Sequence, residues 1–444
     1  MRRIVVRVLV VLLVVVLAAG VGGYWYARPL LLTGTGYAAH NACAVGILAG
    51  RNQPATDLPP NPLVPHLSTT IGSDRASTTI RGVLAGQTAW YVPGYGCTIA
   101  DTKPTFPAPT EVKPGANPYT AAPSPTTTPA MTALLATAFG DDLDEAGRTR
   151  LGTRGIVVLR DGKLVAERYA PGFTATTPQL GWSMSKSVTN LLVGRMVLAG
   201  TVKLDEANLH PSWTDDRATI TVDQLLRMTS GLSWDETYDL GTPITQMLYG
   251  EKDMGAYVAS RPLAHAPGSY QQYSSGSTTF LCSALAPRAG GADMPRRLLF
   301  APMGLSSATF EPDAVGTPVC SSYMWATPRD WAAIGQLALN DGSWGGSKLL
   351  PDGWMARSVA LTPVQQTEEE GYAASWWTNR KADGSLVDTR LPADAYWATG
   401  HDGQRVYVVP SQGLVVVRLG FSPGVRGDDL RATQLVAGMG ALPR

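Results

Sequence analysis

Val8 to Ala27 reads VLVVLLVVVLAAGVGGYWYA, twenty uncharged residues in a row. In a bilayer such a run satisfies its backbone polar groups only as a helix, and a helix of this length crosses a hydrocarbon core of about 30 Å. Arg2, Arg3 and Arg7 precede it, and basic flanks stay on the cytoplasmic side. Tyr24, Trp25 and Tyr26 close it with side chains that favour the membrane interface. The expectation is a signal anchor over residues 1–28, with everything after Arg28 outside the cytoplasm. The same run is compatible with a cleaved signal peptide, which would release the rest of the chain on the same side.

An oxidising compartment changes what four cysteines mean. Cys43 and Cys97 bracket one segment, and Cys282 and Cys320 both lie in the second half. A Cys43–Cys97 bond is expected. For Cys282 and Cys320 the sequence leaves a second bond and two buried thiols equally open, since Cys282 sits in an apolar run with Phe280, Leu281 and Leu285 where a free thiol packs well. No Cys-x-x-Cys or Cys/His spacing marks a metal site, and nothing calls for a cofactor. With 36 Lys and Arg against 35 Asp and Glu, a net charge of +1, no strong field selects nucleic acid as a partner. An apolar content of 44% with 12 Trp can fill a large core. Oligomeric state is not legible.

Residues 29–100 read as a small segment of short strands, such as 77–83 and 88–92, closed by Cys97. Residues 101–130 carry eight prolines and read as an extended linker. The main domain is expected over 131–444. There, Ile156–Arg160, Asp161-Gly162 and Lys163–Tyr169 form a hairpin pattern. A second hairpin pairs Gln404–Val409 with Leu414–Leu419, followed by a helical pattern over Asp428–Leu442. Helical stretches over 183–199, 221–228 and 328–340 lie between. Strands at both ends with helices between them predict an α/β (α+β) sandwich, one antiparallel sheet flanked by helices and a helical subdomain.

The chemistry concentrates in three patches. In Gly181-Trp-Ser183-Met-Ser-Lys186, Ser183 and Lys186 fall at i and i+3 on one face of a helix start. A desolvated lysine with a lowered pKa can take the serine's proton, and the helix N-terminus offers N–H groups to an oxyanion. Tyr273-Ser274-Ser275-Gly276 follows the Pro267-Gly268 turn and precedes an apolar helical run, which places Tyr273 at a helix entrance. Thr399-Gly400-His401-Asp402-Gly403-Gln404 runs into a strand, with glycines where backbone can approach a ligand closely.

In this order the patches resemble the serine β-lactamase and penicillin-binding-protein family, in particular its class C β-lactamase, esterase and 6-aminohexanoate-dimer hydrolase branch. Leu225–Leu232, Ala326–Trp331 and the run from Gly400 to Pro410 add to the likeness, which covers 131–444. The resemblance implies that Ser183 is the acylated nucleophile, Lys186 its base and Tyr273 the acid/base for leaving group and water. It implies an oxyanion hole from the N–H groups of Ser183 and Gln404, beside Gly403. His401-Asp402-Gly403 stands where the family has Lys-Thr-Gly, and histidine is not a permanent cation at neutral pH. Ser275 stands where lactamases have the Asn of Tyr-x-Asn. Both departures point away from β-lactams and toward a small ester or amide. Ser233–Tyr238 and Ser375–Thr378 are candidate specificity loops, with Tyr238 as a substrate contact and Asp235-Glu236 as partners for a substrate ammonium. Competing readings are an α/β-hydrolase, for which Gly181-Trp-Ser183-Met-Ser185 is a near miss of the elbow motif, a β-lactamase or D-peptidase, and a binding module that has lost its chemistry.

Overall fold

The structure is a computed structural model and describes residues 2–52, 57–364, 366–368 and 370–443. The elements used below are, in chain order, α1 (Arg2–Cys43), β1 (Leu67–Ile71), β2 (Arg75–Ile80), β3 (Leu84–Val92), β4 (Gly96–Ile99), α2 (Pro129–Phe139), β5 (Thr153–Arg160) and β6 (Lys163–Tyr169). They continue with α3 (Met184–Leu198), α4 (Val222–Leu226), α5 (Pro243–Gly250), α6 (Ser275–Leu285), α7 (Pro328–Leu339), β7 (Trp377–Thr378), β8 (Tyr396–Gly400), β9 (Gln404–Val409), β10 (Leu414–Gly420) and α8 (Ala432–Ala441).

The hairpins read from the sequence form and then join each other. β5 pairs with both β6 and β10, so the two ends of the domain meet in one antiparallel sheet of order β7-β8-β9-β10-β5-β6. Alternate residues of a strand face opposite sides. Val157, Leu159, Val406, Val408, Val415 and Val417 enter the larger core with α7, while Ile156, Val158, Val409, Leu414 and Val416 meet α2 and α8. Because both faces are covered, the strands are near-continuously apolar. The expected α/β sandwich with an antiparallel sheet is borne out. The parallel sheet of an α/β-hydrolase is not present among the described residues, which removes that reading.

The N-terminal part is built differently from its sequence pattern. α1 does not stop at Arg28. It runs through Pro29 to Cys43, and its last turns, Thr33–Cys43, are buried in the domain. The bond lost at Pro29 is a local cost, offset by the packing of these turns. Gly36 shows how close that packing is: a Cβ there would lie 2.3 Å from the carbonyl oxygen of Tyr249 on α5. The antiparallel sheet β1-β2-β3-β4 lies along the same turns, and the Cys43–Cys97 disulfide joins α1 to β4. Residues 2–23 are exposed, and α1 is the one helix among the described residues long and apolar enough to cross a membrane.

The proline-rich stretch 101–130 has little regular structure but is strapped to the domain. Thr110 donates through N and Oγ1 to Asp293, at 2.8 and 2.5 Å. Asn117 Nδ2 donates to Asp330 at 2.6 Å, and the Tyr119 hydroxyl to the Gly162 carbonyl at 3.0 Å.

Candidate active site

Trp182 has φ of +49°, a left-handed conformation costly for a bulky residue. It turns the chain so that Ser183 occupies the cap position of α3. The Trp182 ring is held edge-on by Tyr37 of α1, Tyr238 and His401, at centroid distances of 6.0, 6.1 and 5.7 Å. Ser183 opens into a cavity of about 700 Å³ whose wall includes Tyr238, Tyr273, Gly400, His401, Gly403 and Arg405.

Lys186 is 1% exposed. Its Nζ lies 2.9 Å from Ser183 Oγ, 2.8 Å from Ser275 Oγ and 3.1 Å from the Ser321 carbonyl oxygen. Burial lowers its pKa to about 8, and the charge of Glu236 works against that shift. The Ser275 hydroxyl donates to Glu236 Oε1 at 2.5 Å, so toward Lys186 it acts as acceptor. A neutral amine has two N–H bonds. With both directed at Ser275 Oγ and the Ser321 carbonyl, its lone pair is left for the hydroxyl proton of Ser183.

Tyr273 packs beside this pair. Lys186 Nζ is 4.7 Å from its ring centroid, and its hydroxyl hydrogen-bonds Ser183. Burial, with the charges of Tyr372 and Glu236, holds the phenol well above the usual tyrosine range, the Ser183 bond acting the other way. The group is therefore a neutral phenol at physiological pH, able to donate a proton.

Four site expectations change or sharpen in three dimensions. Ser275 does not face substrate: it is fully buried and links Lys186 to Glu236. Gln404 is 2% exposed and is absent from the cavity wall. Its side chain bonds both N–H and C=O of Gly420 on β10. The reason is that β8 ends at Gly400 and residues 401–403 form a tight turn, so Gly400 and His401 line the cavity with Ser183. A Cβ on Gly400 would sit 2.1 Å from the Gly181 carbonyl oxygen, which fixes how near the two segments lie. Gly403 lines the cavity with φ of +87°. Tyr238 lines it too, stacked on His401 at 4.5 Å and 18°.

Glu236 is the residue the sequence misplaced. Rather than awaiting a substrate ammonium, its carboxylate accepts from Ser275 N at 2.8 Å, Ser275 Oγ at 2.5 Å and Trp234 Nε1 at 2.6 Å. No spacing signal could reveal this, since 39 residues separate the partners. Arg405 is the other omission. Its guanidinium lines the cavity and donates to the carbonyls of Gly400 and Gln404 at 3.2 and 2.8 Å. Burial lowers its pKa, yet an arginine stays charged at neutral pH. The cavity therefore keeps a permanent cation although His401 replaces a lysine. The Cys282–Cys320 disulfide also forms, and it clamps α6 to the segment that presents the Ser321 carbonyl to Lys186.

An antiparallel sheet between helices, with a serine at a helix start hydrogen-bonded to a buried lysine one turn on, defines a serine hydrolase of the β-lactamase type. The chain belongs to the β-lactamase family: residues 141–437 match the family described as Beta-lactamase. A 6-aminohexanoate-dimer hydrolase of Paenarthrobacter ureafaciens is 23% identical over 301 residues, spanning 61% of this chain and 73% of that one. Among solved structures, EstCE1, a hydrolase with promiscuous acyltransferase activity, superposes with a TM-score of 0.55 at 18% identity, covering 70% of this chain and 98% of its own. The class C β-lactamase of Rhodobacter sphaeroides does so with a TM-score of 0.51 at 16% identity, covering 70% and 99%. At these identities the structural neighbours share the fold.

Proposed function

We propose that this is a membrane-anchored, extracytoplasmic serine hydrolase that cleaves small esters or amides through an acyl-enzyme on Ser183. The observation that carries it is the buried Lys186, whose two fixed acceptors leave its lone pair for Ser183. Ser183 Oγ attacks the carbonyl carbon as its proton passes to Lys186. The oxyanion is received by the N–H groups of Ser183 and His401, the latter because Gly400 abuts Gly181. The tetrahedral adduct expels the alcohol or amine, which takes a proton through Tyr273, and water then releases the acid by the reverse sequence. The named activities of the 6-aminohexanoate-dimer hydrolase and of EstCE1 support a small amide or ester, and the missing asparagine amide at Ser275 supports it over a β-lactam. A fluorophosphonate probe should label Ser183, and no labelling would favour the non-catalytic module. Wild type should show a higher kcat/KM for p-nitrophenyl butyrate than for nitrocefin. The opposite order would overturn the substrate preference while leaving the catalytic roles standing.

The Glu236 contacts give a further expectation. Lys186 acts as base only when neutral, so activity rises with pH through an inflection near its pKa of about 8. Glu236 raises that pKa. Glu236→Gln removes the charge, lowers the lysine pKa, and should move the acid limb of kcat/KM to lower pH. An unmoved or upward-shifted limb would show that Glu236 only braces the loop.

A further inference from the structure

The anchoring helix does more than tether the domain. Thr33–Cys43 of α1 are buried in the core while residues 2–23 are exposed, so one continuous helix fixes the domain's height above any bilayer it crosses. The turn between β2 and β3, Arg81–Leu84, lies alongside this helix where it leaves the domain. Ala85 N donates to the Tyr24 hydroxyl at 3.2 Å, and Thr35 Oγ1 donates to the Ala85 carbonyl at 2.7 Å. Val83 at the tip is 80% exposed and Leu84 41%. A lone exposed valine means little. This one lies two residues before Ala85, which is bonded to Tyr24 of the aromatic group that closes the apolar run, where Arg28 also lies over the Trp25 ring at 5.3 Å.

The catalytic cavity is tied to the same helix. Its wall includes Asp235–Tyr238, and the chain then runs straight to Leu240 and Gly241, which lie against Gly34 and Leu30 of α1. From Ala27 to these positions α1 rises three to seven residues, about 5–10 Å at 1.5 Å per residue.

We propose that the domain is seated on the bilayer, with the Arg81–Leu84 tip inserted in the interfacial layer as a second contact, so that the cavity works on ester or amide amphiphiles presented at the lipid surface. This rests on the reading of Val8–Ala27 as a membrane span. Arg81 and Arg28 stand where anionic headgroups would meet them, and Val83 and Leu84 would add apolar burial.

The test uses the full chain in vesicles of phosphatidylcholine and phosphatidylglycerol. All four native cysteines are paired, so a fluorophore can be attached selectively at Val83→Cys, Leu13→Cys or Ser73→Cys, the last at the exposed opposite end of β2. Spin-labelled lipids should quench Leu13 deeply, Val83 at headgroup depth and Ser73 at neither depth. A quenched Leu13 with Val83 behaving like Ser73 overturns the seating alone. An unquenched Leu13 overturns the span itself and the seating with it. In the same vesicles, Val83→Asp with Leu84→Asp should lower hydrolysis of a vesicle-borne long-chain p-nitrophenyl ester several-fold and leave soluble p-nitrophenyl butyrate unchanged. Equal effects on both substrates would overturn the surface-substrate claim.

Discussion

Ser183→Ala and Lys186→Ala are each expected to lower kcat/KM by at least about 10³, and the double variant is expected to fall no further. Among the described residues, Lys186 is the amine that bonds Ser183 Oγ, and Ser183 is its one hydrogen-bond partner that lines the cavity. Removing either therefore disables one unit. Lys186→Ala also leaves the Ser275 hydroxyl and Ser321 carbonyl without their buried donor, which carries a stability cost. Lys186→Met keeps the volume and serves as the control. Thermal unfolding checks that both variants fold, and steady-state kinetics on p-nitrophenyl butyrate reads the loss. Should the double variant lose the product of the two single losses, or either single variant stay near wild type, the Ser183–Lys186 assignment fails.

The parts of this arrangement that the sequence disclosed are those written in local periodicity. Ser183 and Lys186 share a face because i and i+3 coincide on a helix, and the hairpins over 156–169 and 404–419 follow from apolar runs around turn residues. What stayed hidden depends on contacts between distant segments. Glu236 in its loop meets Ser275 at the start of α6. Gln404 was placed at the oxyanion hole by reading His401-Asp402-Gly403 as a strand motif. In the fold β8 ends one residue before it, and Gly400 and His401 line the cavity while Gln404 does not. The aromatic close of the apolar run before Arg28 suggested a boundary, yet tertiary packing of Thr33–Cys43 carries α1 beyond it. Arg405 was not singled out at all, because only the pairing of Arg405 with Thr399 across β8 and β9 brings it to the cavity.

Tyr273→Phe should lower kcat by about 10²–10⁴ with little change in KM. The substitution removes one oxygen from a ring whose position is set by neighbours it keeps: Tyr372 edge-on at 5.3 Å and Trp377 at 6.2 Å. The ring also still faces Lys186 Nζ, so cavity shape and substrate affinity should survive. What is lost is the phenol proton. With Lys186 near 8 and the phenol held far above it, Tyr273 is not the resident base. In the proposed reaction it carries a proton between the lysine and the departing group, and then between water and the lysine during release of the acid. Esters whose alcohol leaves readily need that proton less than amides do, because an amine cannot depart as an anion. The Phe variant should therefore be impaired far more on a short amide than on a p-nitrophenyl ester of the same acyl group. The acid limb set by Lys186 should remain in place for both. A Tyr273→Phe protein that keeps more than a tenth of wild-type kcat on the amide would take the proton-carrier role away from Tyr273.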